Sequence, residues 1–191
     1  CPIQFSALNN QYVIQGKTFD VMGEGSCPHY RIVEVRLENG KIAFLPVQPV
    51  CMIGHSLTMP MFLPPSQPHF INEDQIGSNR FIVLTSHPEV ISAFHFDSDC
   101  VFLSDYDLAG NIDRLPWELL RGKTVHYLLP TTPDAAKEEA DLAVRACSKI
   151  RDAGYGHTHI IDCNGSSFIY EQAEIFSDNE FGKLVDKYGS S

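Results

Sequence analysis

The chain has 191 residues and a formal net charge of −10, with 43% hydrophobic and 20% charged residues. That length suits one domain, or a compact domain carrying a smaller subdomain, with a real core. No run approaches the roughly 18 apolar residues that a bilayer span needs, and no targeting segment is visible, so a cytoplasmic protein without a membrane partner is expected. Residues 1–72 hold four basic and four acidic residues, whereas 73–191 hold ten basic and twenty acidic. Phosphate binding needs clustered Lys and Arg, so charge weighs against broad nucleic-acid contact and leaves room only for a small local site.

The chain opens at Cys1 without a methionine, which suggests a cut boundary ahead of a processed or lipid-modified terminus. The six cysteines, at 1, 27, 51, 100, 147 and 163, form no CxxC pair. Cys100 and Cys147 read as small buried apolar residues and all six as reduced thiols.

The first ~60 residues read as β. Tyr30 to Leu37 alternates, Asn39-Gly40 follows, and Lys41 to Val47 is a second run; an Asn-Gly turn with positive φ at both positions is expected between them. Gly23-Glu24-Gly25 is a glycine-rich turn without the strand and helix that a phosphate cradle needs. Cys27, His29, Cys51 and His55 carry zinc-ligand chemistry at spacings that fit no common zinc pattern. Six of the twelve prolines lie between Pro46 and Pro68. Proline lacks a donor N–H, so this stretch is expected as an irregular connector, packed through Met59, Met61, Phe62 and Leu63.

After residue 80 the pattern becomes α/β. Phe81–Leu84 is a short continuous apolar run suited to a buried parallel strand, and Cys100–Leu103, Val125–Leu129 and Thr158–Ile161 read as three further strands. Ser86 is expected to cap a short helix carrying Val90, Ala93 and Phe94 on one face, with Glu89 completing a capping box. Thr132, Pro133 and Asp134 start a longer helix whose apolar face is Ala136, Ala140, Ala143, Cys147 and Ile150, and Gly154 ends it. Ser177 to Glu180 opens a last helix with Phe181, Leu184, Val185 and Tyr188 on its apolar side. The expected fold class is thus α/β, a compact parallel sheet with flanking helices over 73–191, preceded by a small β-rich subdomain over 1–72.

Ligands of such sheets bind beyond the carboxyl ends of the strands. The candidate crevice residues are therefore Thr85, Ser86, His87, Thr131, Thr132 and Asp134. Asp105 and Asp107 flank Tyr106 at another strand end and are the metal candidates, because two carboxylates two residues apart offer hard oxygen ligands to Mg²⁺; a solvated acidic turn is the plainer account. His157, His159, Asp162 and Cys163 also have ligand chemistry, but the histidines read more simply as polar residues of an edge strand. Ser86-His87 resembles a nucleophile and base, yet no acid is evident in the sequence to orient the histidine.

The run from Leu120-Arg-Gly-Lys through Pro130-Thr-Thr-Pro-Asp-Ala-Ala to Gly154 resembles the Toprim domain, in the versions found in primase-helicase proteins of phages, plasmids and mobile elements. Residues 81–119, with the lone Trp117, fit that family's spacing, so the resemblance covers about half the chain. It implies a larger DNA-replication or mobile-element protein whose other domains, a P-loop ATPase among them, are the partners. It also implies Mg²⁺ held by an acid after the first strand and a DxD pair after a later one. Here Thr85-Ser86-His87 stands at the first position, Thr131 and Pro133 replace the pair, and Ala136 takes the place of a glycine. The expectation is a non-catalytic domain acting in binding or scaffolding, with no cofactor. The alternatives are a Mg²⁺-dependent phosphoryl-transfer or nuclease-like enzyme using Asp105 and Asp107, and a small-molecule-binding α/β domain.

Overall fold

A computed structural model describes residues 13–23, 28–51, 58–61, 64–77, 81–93, 100–154, 157–162 and 174–176. The expected last helix, Phe94, the side chains of Ala93, Met59 and Met61, and residues 62 and 63 lie outside that description.

The chain first builds an antiparallel sheet in the order β1-β2-β3-β4 from Val13–Met22, Pro28–Arg36, Ile42–Cys51 and Thr58–Met61. The β2–β3 turn differs from the expected one in type. Only Gly40 takes a positive φ, of 80°, and Leu37 N donates to Lys41 O across a three-residue loop. That loop needs one left-handed residue at its end, which glycine supplies without steric cost. Asn39 contributes its side chain instead, accepting from Lys41 N at 3.0 Å.

The proline-rich stretch is not all connector: Pro46 and Pro49 lie in β3 and Pro60 in β4. The reason is one-sided pairing. Residues 42–47 of β3 pair with β2 and residues 48–51 with β4. Among the described residues each proline therefore sits where one side of the strand has no ladder partner, the position in which a missing N–H is tolerated.

The second sheet is parallel throughout, in the order β6-β5-β7-β8-β9, from Phe81–Leu84 (β5), Cys100–Leu103 (β6), Thr124–Leu128 (β7), His157–Ile161 (β8) and Glu174–Phe176 (β9). Sequence periodicity locates the first four and misses the three-residue β9. Short helices α1 (Glu89–Ala93) and α2 (Leu108–Asn111) and the long α3 (Pro133–Ala153) connect the strands. One core cluster joins Ile82, Leu84, Val125, Tyr127 and Ile160 of the sheet to Ala136, Ala143, Ala146, Cys147 and Ile150 of α3. Pro133 opens α3, and Gly154 closes it at φ 113°. Arg121 Nε takes the terminal carbonyl of Ala153 at 2.8 Å, which satisfies one of the acceptors a helix end leaves open.

Residues 64–77 strap the two sheets together. Ile71 N donates to Ser104 O at 2.8 Å, Asn72 Nδ2 to Phe102 O at 2.9 Å, and Arg114 to the carbonyls of Pro65 and Ser66. The Tyr30 hydroxyl of β2 accepts from His69 N and donates to His69 O. Around this joint Val21, Tyr30, Ile32 and Ile71 form a buried cluster that Ile91 and Tyr106 complete.

Candidate functional site

The strand order places the site. From β5 the chain moves to β6 on one side, then passes back over β5 to β7 on the other. Loops leaving β5 and β7 therefore part in opposite directions and open a crevice at their carboxyl ends. A cleft of about 320 Å³ lies there, with Thr85, His87, Thr131 and Thr132 among its lining residues. These are four of the six crevice residues expected from the sequence. Ser86 stands beside them, bonded behind the cleft wall, and Asp134 is exposed on the first turn of α3 and is not among the lining residues.

The side chain that organises this end is Glu139 of α3. Ser86 Oγ donates to its Oε1 at 2.6 Å, Tyr127 OH to the same oxygen at 2.7 Å, and His87 Nε2 lies 2.9 Å from Oε2. His87 Nδ1 meets Glu89 Oε1 at 3.3 Å. Glu139, from another element, and Glu89, two residues along, thus supply the acids that orient His87, which the sequence alone does not reveal. The hydrogen bonds His87 donates to Glu139 and then to Glu89 push it up to about 10, against the opposing effect of burial, so the imidazole is a cation at neutral pH. Burial pushes Glu139 toward its neutral form, but the bonds from His87, Ser86 and Tyr127 outweigh it and hold the carboxyl below its ordinary value. Tyr127 is raised well above its ordinary range by burial and then by the adjacent Glu139 charge.

This geometry corrects one expectation. Ser86 does not cap α1: its hydroxyl serves Glu139, while Thr85 Oγ1 accepts from His87 N at 3.1 Å and α1 begins only at Glu89. Nor is Ser86 a nucleophile activated by its neighbour. Serine and histidine bond to the same carboxylate instead of to each other, so His87 is not placed to take the serine proton. A signal for Glu139 was present in the sequence: it falls three residues after Ala136 and four before Ala143, inside the apolar stripe of α3. A carboxylate there must be buried with partners.

The two aspartates at the β6 end do different work. Asp105 is fully buried, and its Oδ2 accepts from Asn111 Nδ2 at 2.8 Å and from Asp107 N at 3.1 Å. Among the described residues its Oδ1 has no hydrogen-bond partner. Burial pushes Asp105 up to about 6 despite these bonds. Asp107 is exposed and caps α2, accepting from Gly110 N at 3.0 Å. The acidic turn is therefore only half solvated, contrary to its plainer sequence reading.

Elsewhere, β8 is internal, paired with β7 and β9, so its histidines are not on an edge strand. His159 stacks on His126 at 4.9 Å between ring centroids, while His157 is exposed. Burial, then the neighbouring His159, pulls His126 down to about 4. His29 stacks on His69 at 4.2 Å; Cys27 and His55 lie outside the described residues. Among the described residues no three His, Cys, Asp or Glu side chains form a metal-binding group, and no helix is long and apolar enough to cross a membrane. No family model, no curated protein and no solved structure matches the chain.

Proposed function

We propose that this chain is a binding domain, a non-catalytic Toprim-like unit of a larger replication or mobile-element protein, and that it recognises a small ligand in the cleft between the ends of β5 and β7. The observation that carries the binding reading is the closed network on Glu139. Both of its oxygens are occupied by Ser86, Tyr127 and His87, so His87, the network residue that lines the cleft, is held on a carboxylate and is not poised as a base over the serine. The replication setting, the neighbouring P-loop ATPase and a nucleic-acid end as partner are supported by the resemblance around Leu120–Gly154 alone. Thr85, Thr131 and Pro133, standing where that resemblance asks for acids, support a role without Mg²⁺.

The alternative, Mg²⁺-dependent phosphoryl transfer by Asp105 and Asp107, requires both carboxylates on shared metal. A buried Asp105 bonded to Asn111 and an exposed Asp107 capping α2 speak against it. The test is calorimetric titration with Mg²⁺ and Mn²⁺ beside an Asp105→Ala, Asp107→Ala double variant. No saturable binding is expected; specific binding lost in the double variant overturns the non-catalytic reading. A GxxxxGK[ST] segment following Ser191 in the full-length protein is expected from the replication setting, and a stop codon there removes that support.

A further inference from the structure

We infer that the strand-end cleft takes a small uncharged molecule, an apolar body carrying a carbonyl or hydroxyl acceptor. This rests on the cleft being the binding site and adds the chemistry of its occupant.

Three features converge. Its walls are largely apolar, with Val90, Leu129, Pro130 and Ala135 among them, and its volume of about 320 Å³ suits a compact ring system.

The unspent polar groups facing it are donors. Thr85 is 1% exposed and lines the cleft. Its oxygen accepts from His87 N, and its hydroxyl proton has no acceptor among the described residues. A buried donor without a partner costs free energy that a ligand oxygen recovers. On the facing wall, helical bonding in α3 starts with Ala136 N to Thr132 O. Pro133 has no N–H and Thr132 makes no side-chain capping bond, so among the described residues the N–H of Ala135, which lines the cleft, has no partner.

Fixed charge then decides between a neutral and an anionic acceptor. The His87 cation is already bracketed by Glu139 and Glu89. Asp134 is exposed on the first turn of α3 outside the cleft lining, and Lys17 of β1 acts on Glu89 only through its charge. His87 is the one cation among the lining residues and its charge is already spent on two carboxylates, so a phosphate or carboxylate ligand meets no unpaired cation there and a neutral carbonyl is favoured.

The test uses the full chain, ¹⁵N-labelled, titrated separately with benzamide, benzoate and inorganic phosphate. Benzamide is expected to shift the amides of Thr85, Val90 and Ala135 saturably, with benzoate weaker by about tenfold or more and phosphate silent. Thr85→Val is expected to weaken benzamide by about fivefold or more, while Thr85→Ser, which keeps the hydroxyl, retains it. Benzoate or phosphate binding the cleft as tightly as benzamide overturns the inferred ligand class and leaves the site standing. Shifts from none of the three probes at these amides overturn the site as well. Loss of benzamide binding in both variants overturns the role given to the Thr85 hydroxyl.

Discussion

Two carboxylates are buried at the same end of the parallel sheet, and they end in opposite electrostatic states. Glu139, behind the β5–β7 cleft, is held below its ordinary value, whereas Asp105, at the end of β6, is raised to about 6. Burial pushes both in the same direction; the partners decide the outcome. Glu139 receives an imidazolium and two hydroxyl donors, while Asp105, among the described residues, receives hydrogen bonds on one oxygen only. One end is thus a closed, rigid wall and the other a half-satisfied joint beside Tyr30 and Tyr106. An acid at a strand end does not mark a site until its donors are counted.

The contrast can be broken most severely at Glu139. Glu139→Ala leaves the His87 cation without its main partner and two hydroxyls without an acceptor. Urea unfolding at pH 7 is expected to show a loss of about 3–5 kcal/mol, and a loss under about 1 kcal/mol contradicts the closed-wall account.

Asp105 gives the opposite sign. Its folded value lies above that of an unfolded aspartate, so its stabilising contribution is present below the unfolded value near 4 and is lost as pH rises through about 6. Asp105→Asn removes that loss. The wild type is expected to fall by up to about 3 kcal/mol relative to the variant between pH 4 and 8, measured as the difference between their unfolding midpoints. A constant difference across that range means Asp105 titrates normally. His126 behaves as the reverse case: its folded value near 4 lies below the unfolded one, so its contribution is full above about 6.5 and is lost as pH falls toward 4. Since His126 is unaltered in Asp105→Asn, the comparison of the two proteins cancels it.

Smaller effects sharpen the Glu139 side. In the Glu139→Gln variant the His87 ring is expected to titrate at least about two units below its wild-type value near 10, followed by NMR of the imidazole. A value unchanged there would assign the shift to Glu89. Tyr127→Phe, and then Ser86→Ala, are each expected to cost about 1–2 kcal/mol, since each removes one donor from a charged acceptor.

Much of the frame was legible from sequence. Phe81–Leu84 and Cys100–Leu103 are apolar throughout, Thr124–Leu128 mostly so, and in α3 the 3.6-residue stripe runs from Ala136 to Ile150 with proline and glycine at its ends. What failed was decided by partners distant in sequence. Pro46 and Pro49 read as strand breakers because one-sided pairing of β3 cannot be seen locally. Ser86 read as a cap because its partner stands 53 residues away on another element. The burial of Asp105 depends on a joint that includes Tyr30 of the other sheet. Glu139 is the instructive miss, since its place in an apolar stripe was written in the spacing.

The most direct measurement of the central claim is a crystal of this chain soaked with a mixed metabolite set and Mg²⁺. The account predicts density for an uncharged compound between Thr85, Val90 and Ala135, and unchanged Asp105 and Asp107 side chains. A metal ion bridging Asp105 and Asp107, with the cleft between β5 and β7 empty, would contradict it.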